Sequence, residues 1–288
     1  MKYRKIVSLL ISILMLIALV GCGSSDSKEA KNEAYGVVAT SVAVTEILDA
    51  LGVKVVGVPT TSYELPESTK GATEVGNPMS PDLEIIKSLN PSVVVSVDTL
   101  GSDYINLFKD NNIPSEFVSL ESLDGLKDAI KTLGTRFDKN DKATELINSI
   151  EEKENKFKES DTKGEDVLVL FAAPGSTMIA TPKSYIGSLV EIVGGNNIVK
   201  DDKSSYVTYS KEEISKLNPK KVLVMMHAMP EQTKAALEKE FKSDTAWQSI
   251  EAIKNNNIVY LDNTYFGMSA NLKVIEGLDI LREIVAGE

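Results

Sequence analysis

Two stretches, "SPDLEIIKSLNPSVVVS" (residues 80–96) and "SKEEISKLNPKKVLVMM" (residues 210–226), decide the fold, because each reads as a helix, a Leu-Asn-Pro stop and a buried strand. A serine heads each segment and predicts an N-cap. In the second, Ser210 and Glu213 have the spacing of a capping box. Proline disfavours the helical conformation in the residue before it, so Pro91 and Pro219 end the two helices, and the valine-rich runs beyond them read as strands. One Leu-Asn-Pro is common. The whole frame repeated 128 residues later predicts two similar lobes.

The neighbouring segments extend the pattern. "YGVVATS", "VKVVGVPT" and "SEFVSL" accompany the first copy, and "DVLVLFAAPG" and "NNIVYLD" the second, all alternating with helical stretches. This is the α/β arrangement. Between the groups, "KNDKATELINSIEEKENKFKES" (139–160) is charged and free of Gly and Pro, which predicts one long helix. About 20 helical residues rise about 30 Å, enough to join two lobes rigidly. The expected architecture is two similar Rossmann-like lobes, 35–138 and 162–288, joined by a single long helix, 139–161, with a ligand cleft between them.

The N-terminus reads as a targeting segment. Lys2, Arg4 and Lys5 precede the 15-residue apolar run Ile6 to Val20, which is short for a membrane span. "LVGC" follows, and Cys22 is the only cysteine, which leaves no disulfide and no thiolate metal cluster. Residues 1–21 are expected to be a signal peptide. Residues 22–34, headed by Cys22, are the expected N-terminus after cleavage and a flexible polar tether. Without Lys2, Arg4 and Lys5 the chain has 28 basic and 42 acidic residues, a net charge of −14. Such a surface repels nucleic acid.

His227 is the only histidine in the 288 residues, and it closes the second apolar strand where a loop begins. That is where open α/β sheets place ligands, although a histidine at a strand end also serves as an ordinary hydrogen-bonding residue. A single histidine with no nucleophile motif leaves no hydrolytic constellation, so no enzyme is expected. Zinc or manganese receptors ordinarily gather several ligands of this type.

"SYIGSLVEIVGGNNIV" (184–199) and "AWQSIEAIKNNNIVYLD" (246–262) resemble blocks of the substrate-binding lipoproteins of iron-siderophore, cobalamin and haem importers, and the likeness covers nearly all of the chain after the signal. "LVGC" resembles the lipobox of bacterial lipoproteins. Within the group, "GNPMSPDLE" (76–84) and "HAMPEQTKAALEKEF" (227–241) resemble the haem-binding lipoproteins of the iron-regulated surface determinant system. The resemblance implies a non-enzymatic, monomeric receptor fixed to the outer face of the bacterial membrane by acyl chains on Cys22. It would take haem, with haem-donating surface proteins as partners, and pass it to an ABC permease.

 The same resemblance carries two ligands of the haem iron onto this chain, Met79 in the first lobe and His227 in the second. A neutral imidazole nitrogen and a soft thioether suit low-spin haem. Each also has an ordinary reading, Met79 as a flexible filler in a loop. Met225 and Met226 are expected to alternate into the two faces of the sheet, and Met229 lies too near His227 in the chain to take the opposite side of the iron easily.

Thr40, Ser41 and Val42 open a helix after the first strand, and Thr60, Thr61 and Ser62 form a polar loop after the second. With Pro78 they are the expected pocket residues, where backbone N–H groups can meet the propionates; capping and turn chemistry explains the same hydroxyls. Tyr265 and Phe266 resemble a loop of the family near the cleft and are expected to stack on the ring. Related lipoproteins dock on their permease through one exposed glutamate per lobe, and the matching positions are Glu46 and Glu191. Two other readings stay open: the same fold carrying a ferric siderophore or cobalamin, and a haem electron carrier.

Overall fold

The computed structural model describes residues 36–159, 164–201, 203–227 and 229–286. Cys22, the apolar run 6–20 and the tether lie outside them. Gly36–Glu288 form one compact unit, and no helix among the described residues is long and apolar enough to cross a membrane.

The first lobe contributes β1 (Val37–Ala39), β2 (Val55–Val58), β3 (Thr73–Glu74), the hairpin strands β4 (Gly76–Asn77) and β5 (Ser80–Pro81), β6 (Val93–Val97) and β7 (Ser115–Val118). Five of them make a parallel sheet in the order β3-β2-β1-β6-β7. The second lobe contributes β8 (Asp166–Ala173), β9 (Ser176–Ala180), β10 (Asn196–Asn197), β11 (Tyr206–Val207), β12 (Lys221–Met226) and β13 (Ile258–Tyr260). Its path is β11-β9-β8-β12-β13, with β8, β12 and β13 parallel and β10 paired to β8 off that path. β9 runs antiparallel to β8.

Alternation along the strands builds a core on each face of each sheet. Val37 and Ala39 enter one cluster and Val38 the other, while Met225 and Met226 divide in the same way on β12. The cluster that takes Val37 and Met225 also takes Ile150 and Phe157 of the connecting helix and Leu281 of the last helix. One apolar core therefore runs through both lobes and the helix between them. Each fully buried Leu, Ile or Phe contributes about 1.5–3 kcal/mol through its removal from water.

The connecting helix is Asn140–Lys158, and it buries Ala143, Ile150, Glu154 and Phe157 along one stripe. Glu154 accepts from Lys127 at 3.0 Å and pairs with Lys158, so a polar cluster fixes this helix to Leu123–Arg136. Desolvation of the Glu154 carboxylate is outweighed by the two ammonium groups, which hold it below its usual range. Two further bonds join the lobes directly: Ala270 N–H donates to the Leu120 carbonyl at 2.8 Å, and Lys273 pairs with Glu46 at 3.7 Å.

The repeated frame is present in the backbone. The helices Leu83–Ser88 and Lys211–Leu217 both end at a left-handed asparagine, Asn90 at φ 45° and Asn218 at φ 43°, each followed by proline. Asparagine tolerates this conformation better than other side-chain-bearing residues. Ser210 and Glu213 form the expected capping box. Ser80 does not cap its helix: it pairs with Asn77 in the hairpin, and Asp82 accepts from the N–H groups of Glu84 and Ile85 instead.

Candidate functional site

In each sheet the chain turns to opposite sides at one point, between β1 and β6 in the first lobe and between β8 and β12 in the second. The two crossover connections leave such a switch point in opposite directions, opening a crevice beyond the carboxyl ends of the strands. Both crevices are closed at their base by one backbone bond. Thr40 N–H donates to the Val95 carbonyl at 3.2 Å, and His227 N–H donates to the Ala172 carbonyl at 2.8 Å. The single histidine thus stands at the switch point of its sheet.

Its ring stacks on Phe171, with centroids 5.7 Å apart and planes 28° from parallel, and Phe171 in turn meets Tyr206 at 5.3 Å. The imidazole remains exposed on one side, yet burial of the remainder pushes its pKa below the usual histidine value of 6.5. A neutral nitrogen with a lone pair is the result. Tyr206 is pushed up to about 12, first by burial and then by the negative charge of Glu121. Glu121 follows β7 in the first lobe, so the two lobes face each other here.

Met79 sits in the tight turn between β4 and β5 with 65% of its surface exposed. Gly76, at φ 95°, starts this hairpin, and an added Cβ would stand 2.9 Å from the Asp82 nitrogen, so only glycine fits. The exposed large apolar side chains include Tyr63 after β2, Met229 after β12 and Met268 after β13. Tyr63, Met229 and Met268 lie on loops that leave the carboxyl ends of parallel strands, and the Met79 hairpin follows β3.

The remaining expected residues divide. Ser41 caps the helix Val42–Ala50 by accepting from Val44 N–H at 3.3 Å, and Val42 is half-buried at its start. Thr60 and Ser62 are exposed, and Thr61 and Pro78 half-buried. Thr60 donates to Glu74 at 2.9 Å, and Thr61 accepts from Tyr63 N–H at 3.1 Å, the turn chemistry that competes with a ligand role. Thr40 is buried and donates to Ser96 at 2.6 Å, so its hydroxyl points into the lobe rather than toward a ligand.

Phe266 is also a correction. It is 1% exposed and belongs to the core, because the loop after β13 turns its ring inward beside Gly277; Tyr265 next to it is half-buried. Glu191 meets the expectation of an exposed glutamate, with its side chain 39% accessible, although it accepts from Lys200 at 2.7 Å and Asn197 N–H at 3.0 Å. Glu46 does not meet it. Its helix buries Ala43, Val44, Thr45, Ile47 and Leu48, nearly the whole circumference, and the Glu46 side chain is 15% accessible beside Lys273. Burial raises its pKa, with Lys273 opposing.

Sequence reading missed Phe171, Tyr206 and Tyr104, the last of which donates from its hydroxyl to the Pro78 carbonyl at 3.1 Å. Phe171 lies inside an ordinary apolar strand and nothing local marks it. Tyr206 lies five residues before Leu-Asn-Pro's own helix begins, on a short edge strand that pattern alone does not reveal.

Two Rossmann-like lobes, one connecting helix and a crevice beyond the strand ends form the architecture of a substrate-binding protein. The chain belongs to the periplasmic binding protein family, whose pattern it matches over residues 37–265. It is 35% identical over 285 residues to the high-affinity heme uptake system protein IsdE of Staphylococcus aureus, covering 98% of each chain. The crystal structure of S. aureus IsdE complexed with heme is similar at a TM-score of 0.81 and 36% identity, over 87% of this chain and 98% of that one. An ABC transporter substrate-binding protein from Listeria monocytogenes matches at 0.81 and 35%, over 89% of this chain and all of the other.

Proposed function

We propose that the chain is a haem receptor that binds ferric porphyrin in the cleft between the lobes, with His227 and Met79 as the two axial ligands of the iron. The observation that carries this reading is the position of the single histidine: at a switch point, stacked on Phe171, and held neutral by burial. A protonated imidazole has no lone pair for a metal. The similarity to a protein solved with heme supports the choice of cargo, and the exposed thioether of Met79 supplies a soft donor from the first lobe.

Backbone N–H groups at the start of Val42–Ala50 and in the loop 60–62 are the donors proposed for the propionates. Acyl chains on Cys22 would hold the receptor at the outer face of the membrane, since two or more chains anchor stably where one is marginal. Delivery to an ABC permease completes the proposal. Glu191 offers an exposed carboxylate for docking; Glu46 would have to exchange Lys273 for a cation of the permease.

The test is a titration of the purified protein with haemin, followed by absorption. One-to-one binding with a sharp Soret band supports the reading, and tight binding of a ferric siderophore or cobalamin in its place would replace it.

A further inference from the structure

Beneath the Met79 hairpin lies a chain of three hydroxyls that the ligand reading leaves unexplained. Thr40 Oγ1 donates to Ser96 Oγ at 2.6 Å, Ser96 Oγ donates to the Tyr104 hydroxyl at 3.2 Å, and that hydroxyl donates to the Pro78 carbonyl at 3.1 Å. All three side chains are buried. Each hydroxyl accepts from the one before it and donates to the next, an order in which hydrogen bonds polarise and strengthen one another. The chain begins at the switch point of the first sheet, where Thr40 N–H already bonds Val95.

Its end is specific. The Pro78 carbonyl belongs to the same peptide unit as the Met79 N–H, and that N–H donates to Asn77 Oδ1 at 2.9 Å. A peptide unit is planar. With its oxygen held by Tyr104 and its hydrogen by Asn77, the plane cannot rotate, so the direction in which the Met79 side chain leaves the backbone is set while the side chain itself stays exposed. Tyr104 is in turn fixed by Phe108 and Phe117, whose ring centroids lie 5.3 and 6.2 Å from its own.

We infer that Tyr104 is a positioning residue for Met79: the Thr40–Ser96–Tyr104 relay holds the Pro78–Met79 peptide so that the thioether is presented at a fixed angle. This rests on the reading of Met79 as a ligand. It explains how a methionine on an exposed hairpin, with no packing of its own, meets the narrow geometry a metal bond requires.

The experiment uses the full-length chain in detergent and haemin as the probe, with Tyr104→Phe, Asn77→Ala, Met79→Ala and the double variant Met79→Ala/Tyr104→Phe. Tyr104→Phe keeps the ring packing and removes the hydroxyl's two hydrogen bonds, of which only the one to the Pro78 carbonyl holds the Met79 peptide. It is expected to shift the ferric spectrum part of the way toward that of Met79→Ala and to raise the haem dissociation rate about three- to tenfold, the range one net hydrogen bond spans. In the haem-free protein the Met79 amide should exchange its hydrogen faster. The double variant should match Met79→Ala, since a relay acting only through Met79 has nothing left to position.

Should Tyr104→Phe fail to fold, Asn77→Ala, an exposed change at the other end of the same peptide, reads the same spectrum and exchange rate. Unchanged spectra, dissociation and Met79 exchange in both single variants, alongside an altered Met79→Ala, would overturn the positioning role and leave ligation standing. A Met79→Ala spectrum identical to the unsubstituted protein would instead remove the ligation reading, and the relay's purpose with it.

Discussion

His227 N–H donates to the Ala172 carbonyl at 2.8 Å, so the one histidine is tied by its backbone to the neighbouring strand at the point where the sheet reverses its order of winding. Its ring stacks on Phe171 and keeps one side exposed. His227→Ala should therefore leave the fold intact and lower haem affinity by more than the roughly 10- to 100-fold that loss of a mere supporting contact to a metal ligand costs. Isothermal or spectroscopic titration with haemin measures it.

Met79→Ala should behave differently. Thioether to ferric iron is the weaker bond, so the variant is expected to change the absorption spectrum clearly while affinity falls about tenfold or less, on the order of 1.4 kcal/mol.

Proton and iron compete for one imidazole nitrogen, and burial sets the outcome. With the folded pKa below 6.5, haem affinity should stay level as pH falls to 6.5 and decline, by about tenfold per pH unit, only below the depressed value. The unfolded chain takes up this proton earlier than the folded one. Haem-free stability should thus drop as pH falls from 6.5 toward the folded pKa, and His227→Ala should remove that part of the drop in a urea titration series.

Closure of the cleft should be small. The connecting helix, the Leu120–Ala270 bond, the Glu46–Lys273 pair and one continuous apolar core all join the lobes. Bending such a helix breaks its ladder of hydrogen bonds. X-ray scattering curves with and without haemin should nearly coincide; a large fall in radius of gyration would show a hinge that these contacts do not permit.

Docking gives an asymmetric expectation. Glu191→Lys should impair haem-dependent growth while haem binding in solution is unchanged. Glu46→Lys places a second cation beside Lys273, so it should also lower the melting temperature, a difference that separates the two glutamates in a thermal scan.

The chain made its topology legible because periodicity and punctuation agree: Leu-Asn-Pro recurs, and both asparagines adopt the left-handed conformation that asparagine tolerates, with proline barring any continuation of the helix. Side-chain direction was less legible. Thr40, Phe266 and Glu46 were all expected at a surface, and all three turn inward because elements distant in sequence cover them: β6 over Thr40, the last helix beside Phe266, and Lys273 over Glu46. Local pattern records which residues could face a cleft. Which of them do depends on elements far away in the chain.

The central claim is that one iron porphyrin is held between His227 and Met79. The most direct measurement is the absorption spectrum of the soluble chain from Ser24 on, titrated with haemin, compared with that of the His227→Ala/Met79→Ala double variant. The account predicts a sharp Soret band saturating at one equivalent, with the double variant losing both the band shape and most of the affinity. A double variant that keeps the unsubstituted spectrum would contradict it.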